Sequence, residues 1–496
     1  MTVLDSRRNG VLMGISSLPG STGIGTMGKN AYKFVDLLHD AGQTYWQILP
    51  ICPTGYGDSP YQSFSTFAGN PYFIDFDMLA EQGFISKADY ENVDWGSDEH
   101  FVDYGLLYVN RKKVFEILVK NFAVKSSGDF DSFCEENSFW LDDYSLFMAV
   151  KDAHGGAAFS SWEDGIRCRT QEALKVWTEK ESERINYYKV LQYFFYKQWG
   201  MLKKYANSKG IKIIGDVPIY VSGDSSDAWA SPSCFLLDQN LVPTVVAGCP
   251  PDAFSPTGQL WGNPVYNWDY MKKTDYDWWK KRLAMSLKSY DVIRLDHFRG
   301  FESFYTIPYG SKDACRGSWL KGPGMDLFNS LKKSLGEFPV IAEDLGFLTP
   351  EVKQLLEDSG FPGMKVLQFA FDSREESDYL PYRYTRNSVV YTGTHDNDTI
   401  LGWIETASKE DVAVAVKYYR IDKAEKLREE MMISAMESVS NTCILTMQDL
   451  IGIGREGRMN IPATEGGNWK WRATMKEIDS VDFKKLGEFT KIYGRK

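Results

Sequence analysis

The stretch Asp291–Gly300, DVIRLDHFRG, closes an apolar run with four charged or titratable side chains. Val292, Ile293 and Leu295 read as a short buried strand, with Arg294, Asp296, His297 and Arg299 at or just past its C-terminal end. Burying such groups unpaired is costly, so they either pair with one another or face a ligand. A carboxylate between two guanidiniums keeps a lowered pKa and stays ionised near neutrality, which suits a nucleophile or an anionic stabiliser. A salt-bridged strand end without chemistry would use the same residues. Two more carboxylates follow apolar runs in the same manner: Glu343 in Pro339–Gly346, PVIAEDLG, and Asp396 in Gly393–Asp398, GTHDND.

Cleavage of a glycosidic bond requires two carboxyls in different protonation states, one anionic at the sugar carbon and one protonated at the leaving oxygen. Asp296, flanked by Arg294 and Arg299, fits the anion. Glu343 follows Val340, Ile341 and Ala342, whose burial would raise a carboxyl pKa, and fits the acid/base. Asp396, beside His395, can accept hydrogen bonds from hydroxyls of the reacting ring, and His297 and His395 can donate them. A different chemistry uses overlapping residues. Asp216, Asp296 and Glu343 could hold Mg²⁺ in an enolase-like, proton-abstracting enzyme. Arg294 and Arg299 oppose a cation beside Asp296, and no Lys stands at a strand end as a base. A catalytically silent sugar-binding barrel would explain the aromatic content but not three carboxylates.

Eight apolar runs are placed to carry these residues: 11–15, 45–50, 211–217, 291–296, 339–346, 364–371, 388–392 and 443–450. Helical periodicity fills the intervals, for example 30–41, with Gly42 just beyond it, and 408–419. Eight short strands alternating with helices predict an α/β fold, an eight-stranded parallel β/α barrel. Asp216, Asp296, Glu343, His395 with Asp396, and Gln448 with Asp449 all fall at C-terminal ends of these runs. In such a barrel those ends open on one face, where barrel active sites lie. Residues 77–210 read as a mainly helical insertion between the second and third strands. The aromatic stripe of 185–206 has the spacing of packing rather than of a site. Residues 245–268, dense in Pro and Gly, read as an ordered lid or acceptor loop after the third strand. The loop GYGDSPYQSF offers Ser59 and Tyr61, either as a turn cluster or as the lining of a sugar cleft.

Composition bounds the alternatives. The chain has 496 residues, 43% hydrophobic and 25% charged, an ordinary globular balance. Aromatic residues reach 15%, enough to line a cleft that stacks on flat ligand faces as well as to fill a core. A net charge of −11 with no basic run argues against nucleic acid as the partner. The seven cysteines are scattered without a Cys-x-x-Cys pair, which fits a reducing compartment and no disulfide frame or zinc site. No apolar run approaches the roughly 20 residues of a membrane span, so no membrane partner and a cytosolic location are expected.

Taken together, VIRLDHFRG, VIAEDLG, TGTHDNDT, IIGDVPIYV, PPDAFSPTGQLWGNPVYNW and GDSPYQSFSTFAGNPYFID resemble the amylomaltases, the disproportionating 4-α-glucanotransferases. The likeness runs from Gly14 to the end, where Arg458–Arg472, RMNIPATEGGNWKWR, resembles that family's closing segment. It implies a retaining transglycosylase of the α-amylase type on one catalytic barrel over 1–496, with no cofactor and no essential metal. It further implies Asp296 as nucleophile, Glu343 as acid/base and Asp396 as the stabiliser that holds sugar hydroxyls. Arg294 matches the arginine beside the nucleophile, His395 a donor to the same sugar, and Asp216 a strand-end residue. Tyr61, with Ser59 on the same loop, and Phe254, Gln259, Trp261 and Asn460 match positions around the donor and acceptor cleft. The implied partners are α-1,4-glucans, such as maltooligosaccharides and dextrins from starch or glycogen, with glucose as an acceptor. A hydrolase on the same scaffold is the alternative. One departure stands out: Pro462-Ala463 replaces a frequent Pro-Gly, and a Gly there points to a positive φ that Ala adopts poorly.

Overall fold

The structure, a computed structural model, describes residues 4–125, 128–251, 255–346, 348–464 and 466–496. Twelve strands occur among them: β1 Arg8–Leu12, β2 Tyr45–Gln47, β3 Lys212–Val217, β4 Val245–Cys249, β5 Gln259–Pro264, β6 Val292–Leu295, β7 Ser303–Pro308, β8 Ser318–Lys321, β9 Val340–Ala342, β10 Gly363–Val366, β11 Ser388–Tyr391 and β12 Thr442–Thr446. Eight of them close into a barrel in the order β1-β2-β3-β6-β9-β10-β11-β12, and every neighbouring pair is parallel. These are the eight runs expected from the sequence. Each strand is covered on both faces, by helices outside and side chains within, which is why it reads as apolar rather than alternating. Val292, Ile293 and Leu295 are all buried. Each contributes about 1.5–3 kcal/mol from the apolar surface it removes from water.

The strand ends differ from the apolar runs for local reasons. The first strand lies earlier, at Arg8–Leu12, and Ile15–Ser17 is a short 3-10 turn. The run 364–371 turns after Val366, because Gln368 Nε2 reaches across to donate to the Asp398 carbonyl at 2.7 Å. The run 443–450 stops at Thr446, whose side chain caps the helix Met447–Ile451 by accepting from Asp449 N.

Between β2 and β3 the described residues from 104 to 208 are mainly helical, the longest helix being Ser182–Ser208. Its apolar face, including Leu191, Phe194, Phe195, Trp199 and Leu202, is buried. Residues 245–268 are not loop throughout: β4 and β5 pair as an antiparallel hairpin. They extend through β7 and β8 into a second, four-stranded sheet in the order β5-β4-β7-β8. The Pro and Gly density that suggested a loop conceals these short strands, one of which is interrupted by a bulge between Val246 and Gly248. No helix among the described residues is long and apolar enough to cross a membrane.

Candidate functional site

Register assembles the centre of the site. Parallel pairing of β3 with β6 sets Asp216 opposite Arg294, and pairing of β6 with β9 sets Leu295 opposite Ala342. Asp296 and Glu343 are therefore the first residues past neighbouring strand ends, and they leave the barrel at the same level. Backbone bonds hold them there: Asp296 N donates to Val217 O at 3.1 Å, and Glu343 N donates to Leu295 O at 3.0 Å.

The Arg294 guanidinium is the hub. Its Nη1 donates to Oδ1 and Oδ2 of Asp216, both at 2.8 Å, and to Asp296 Oδ1 at 3.0 Å. The Asp216 side chain is fully buried, whereas Asp296 keeps 26% of its side chain open to the cleft. Burial alone would lower the pKa of Arg294; the two carboxylates override it and hold the guanidinium far above its ordinary value. Burial pushes the Asp216 carboxyl up, and Arg294 works against that. Tyr61 Oη donates to Asp216 Oδ2 at 2.8 Å. Burial first, and Asp216 second, raise the Tyr61 pKa well above that of a free phenol, so this hydroxyl stays a donor. Tyr61, Asp216 and Arg294 thus form one hydrogen-bonded chain that ends on Asp296 Oδ1.

Arg299 does not serve as the expected second guanidinium. Its side chain turns toward the antiparallel sheet and lies 4.1 Å over the ring of Trp319. The reason is local: His297 takes a left-handed backbone (φ 49°), and the chain enters a 3-10 turn at Phe298–Phe301. The turn carries Arg299 away from Asp296.

Glu343 has a contrasting environment. Its Oε2 accepts from His297 N at 2.7 Å and its Oε1 from Leu345 N at 2.9 Å. Burial pushes its carboxyl up to about 8, with the neighbouring Asp296 charge adding to the shift and Arg294 and the two amides opposing it. It is the carboxyl that can carry a proton at neutral pH. His297, pushed down to about 4 chiefly by burial, is a neutral imidazole there. It packs edge-on against Trp261, ring centroids 4.8 Å apart.

The opposite wall comes from the loop after β11. His395 stacks on Tyr61 with ring centroids 5.1 Å apart, and Trp469 leans on both rings. Asp396, with 43% of its side chain exposed, accepts from Asn460 Nδ2 at 2.6 Å and has Oδ2 3.4 Å from His395 Nε2. Asn460 N donates to His395 O at 3.0 Å, and Arg458 Nη2 donates to Asp396 O at 2.9 Å. Asp449, grouped with the cleft by its position in the sequence, does different work. It is buried, accepting from Thr392 Oγ1 at 2.7 Å and Ile400 N at 2.8 Å, and so ties the end of β12 to the loop after β11.

Of the residues expected in the site, Asp216, Arg294, Asp296, Glu343, Tyr61, His395, Asp396 and Asn460 form one contiguous set. Trp261 joins it through His297, and Gln259 through Trp261, whose Nε1 donates to Gln259 Oε1 at 3.1 Å. Ser59 enters only through the loop, where its Oγ accepts from Tyr61 N at 3.2 Å. Phe254 lies outside the described residues. Sequence reasoning missed Trp469, Arg458 and the pair Gln62–Asn263, which links the Tyr61 loop to the β4–β5 hairpin at 3.1 Å. Trp469 and Arg458 sit in the segment 458–472, whose motif was visible; their contacts to residues far upstream were not.

Among the described residues no group of His, Cys, Asp or Glu is arranged to hold a metal ion. In the Mg²⁺ reading Asp216, Asp296 and Glu343 would hold the cation, and the Arg294 guanidinium already stands between the first two of those carboxylates.

A closed parallel barrel with its charged residues gathered at the C-terminal mouth has the layout of a barrel enzyme, and carboxyls in unlike environments suit acid/base chemistry on a sugar. Comparison with known proteins identifies which. The family of 4-alpha-glucanotransferases, glycoside hydrolase 77, matches residues 13–476. A 4-alpha-glucanotransferase of Clostridium butyricum is 50% identical over 485 residues, covering 97% of this chain and 100% of that one. One from Thermus thermophilus is 45% identical over 484 residues, covering 95% and 96%. The solved amylomaltase of Streptococcus agalactiae, in complex with acarbose, superposes with a TM-score of 0.96 at 47% identity over 99% of both chains. The chain belongs to the 4-alpha-glucanotransferase family, and its activity is that of a 4-α-glucanotransferase.

Proposed function

We propose that the chain transfers segments of α-1,4-glucans to the 4-hydroxyl of another glucan or of glucose, through a covalent glycosyl-enzyme with net retention. One observation carries this reading: two neighbouring carboxyls in one cleft are held in unlike environments, Asp296 against a guanidinium and Glu343 with its proton affinity raised to about 8. In the first half-reaction an Asp296 oxygen attacks the anomeric carbon while Glu343 gives its proton to the departing glycosidic oxygen. In the second, Glu343 takes the proton of the incoming 4-hydroxyl, whose oxygen displaces Asp296. Asp396 and His395 hold hydroxyls of the reacting ring, and Asn460 orients Asp396. Trp261 and Gln259 on β5 form the wall where an acceptor ring would exclude water. The Streptococcus agalactiae relative, solved in complex with acarbose, supports a carbohydrate ligand. The fold supports one catalytic unit, with the 104–208 helices and the β4–β5 hairpin as insertions around it.

The test is incubation with maltotriose, with and without EDTA. Glucose plus a ladder of longer maltodextrins, insensitive to EDTA, is the expected result. Glucose and maltose alone would make water the acceptor and overturn the transfer reading, and loss of activity with EDTA would restore the metal reading. Products that are β-configured at early times by NMR would overturn retention.

A further inference from the structure

Among the described residues the helices between β2 and β3 contribute no side chain to the reacting centre, yet they grip the loop that does. That loop leaves the barrel at Ile51 and returns at Asn70, whose N donates to Ile51 O at 2.7 Å. At its tip Tyr61 reaches Asp216. Just inside the return, Gly69 presses against the helix Ser182–Ser208, and a Cβ there would stand 2.0 Å from the Phe195 ring. Gln192 of the same helix, wholly buried, pairs with both backbone groups of Gly69: Oε1 accepts from N at 2.7 Å, and Nε2 donates to O at 2.8 Å. This is the pairing a neighbouring strand would offer, supplied by one amide side chain. Tyr196 adds a bond from its hydroxyl to Phe67 O. Six residues along, Gln198 does the same for Asp75, beyond the loop, at 2.7 and 3.1 Å.

We propose that Gln192 is a positioning residue for the reacting subsite, fixing the returning limb of the loop so that the Tyr61 hydroxyl meets Asp216 and steadies Arg294 against Asp296. The inference rests on the roles given above to Tyr61 and Asp216. A small displacement at the reacting centre is enough to cost catalysis. The amide is suited to the task because it satisfies a buried donor and a buried acceptor together; an apolar replacement orphans both.

The test is a double-mutant cycle on maltotriose disproportionation, with Gln198→Leu as the matched control. Q192L should lower kcat about ten-fold with KM changed far less, the scale expected for a misplaced reacting group. Q198L should lose as much thermal stability yet keep kcat within about two-fold, because Asp75 lies outside the loop. In a Tyr61→Phe background, Q192L should cost less than about two-fold, since contacts that act as one unit are not additive. Equal losses from Q192L with and without the Tyr61 hydroxyl, or parallel losses in Q192L and Q198L, would overturn the inference. A Y61F enzyme with wild-type activity would overturn the role of Tyr61 itself and the inference with it. If Q192L does not fold, Gln192→Glu serves: a buried glutamate takes up a proton on acidification, and the neutral acid then both donates to and accepts from Gly69. Its activity relative to wild type should rise as pH falls; a flat ratio would count against the proposal.

Discussion

Two buried guanidiniums stand at opposite ends of this barrel and do opposite things. At the C-terminal mouth Arg294 faces carboxylates, and its proton is held more tightly than in water. At the N-terminal end Arg495 is equally buried but faces only backbone and hydroxyl oxygens. It donates to the carbonyls of Arg8, Asn441, Ser438 and Ser440 at 3.0–3.2 Å. Among the described residues no carboxylate pairs with it, and burial pushes Arg495 down to about 10. Arg7 adds bonds to the carbonyls of Ser438 and Tyr493. The same residue type therefore serves as the centre of an electrostatic device at one end and, at the other, as a donor that gathers the carbonyls of the turn before β12 and of Arg8 at the start of β1. What differs is the charge of the acceptors, which the fold supplies as carboxylates set by strand register at the mouth and as backbone carbonyls of the turn before β12 at the base.

The largest effect should follow from removing the anion at the mouth. Asp296→Asn keeps the shape and the Arg294 contact but cannot attack, and kcat should fall about 10⁴-fold or more, as for other nucleophile deletions. Its melting temperature should stay close to wild type. An Asp296→Asn enzyme with a tenth of the activity would remove Asp296 from the chemistry.

Glu343 sharpens the contrast through pH. The reaction needs its proton, so wild-type kcat should decline as pH rises through about 8. Glu343→Gln should lower kcat about 10²–10⁴-fold and abolish that alkaline limb. Wild-type stability should fall with rising pH as well. Between the ordinary carboxyl pKa of 4.5 and about 8, the folded state holds a proton that the unfolded chain has released. The stabilisation from this group is then complete below 4.5 and lost as pH rises through about 8. Glu343→Gln escapes that loss, so its melting temperature should exceed that of wild type more at pH 8 than at pH 5. A constant difference between the two pH values would contradict the raised pKa.

Breaking the base should invert this pattern. Arg495→Met leaves several buried carbonyls without donors and should cost about 3 kcal/mol or more of stability, read by denaturant unfolding. The kcat of the folded fraction should not change. A loss of kcat without a loss of stability would mean that the two ends are coupled through the barrel.

The mouth was legible in the sequence to the extent that it is built from strand ends. Asp296, Glu343 and Asp396 each follow an apolar run, and eight such runs specify a barrel whose ends converge. The contrast between Asp296 and Glu343 was legible in part, from Arg294 and from Val340–Ala342. What did not show was anything set by a turn's direction or by contacts between distant segments. Arg299 departs because His297 adopts a left-handed backbone. Asp449 is consumed by Thr392 and Ile400, more than forty residues upstream. The antiparallel sheet does not show in the sequence because its strands are short, β4 and β5 are interrupted by Gly and Pro with a register shift between Val246 and Gly248, and β8 is only SWLK. The base was hardly legible, since Arg495 sits in an unremarkable polar C-terminus and its acceptors are backbone atoms.

Backbone strain is also present around the mouth, and it offers the smallest and most specific prediction. Among the described residues other than Gly, Asp58, His297, Ala463 and Trp469 have positive φ and border the cleft. Ala463, at φ 61°, is where this chain departs from a frequent Pro-Gly. Its side chain is exposed, so a change to Gly forfeits no packing. The left-handed backbone costs an L-residue about 1–2 kcal/mol, and the freer unfolded chain of Gly returns about 0.4–1 kcal/mol of that. Ala463→Gly should therefore stabilise the enzyme by about 0.5–1 kcal/mol. The neighbouring loop is held independently, by Ile461 N to Asn468 Oδ1 at 3.0 Å, and Asn460 by its own bond to His395 O at 3.0 Å. Asn460 thus keeps its grip on Asp396, and kcat should change by less than about two-fold, a shift worth under about 0.5 kcal/mol of barrier. A stabilised enzyme with unchanged kcat would show that strain at this rim is merely tolerated. A marked drop in kcat on relieving it would show that the left-handed alanine holds Asp396 in place, and that the mouth stores strain as part of its mechanism.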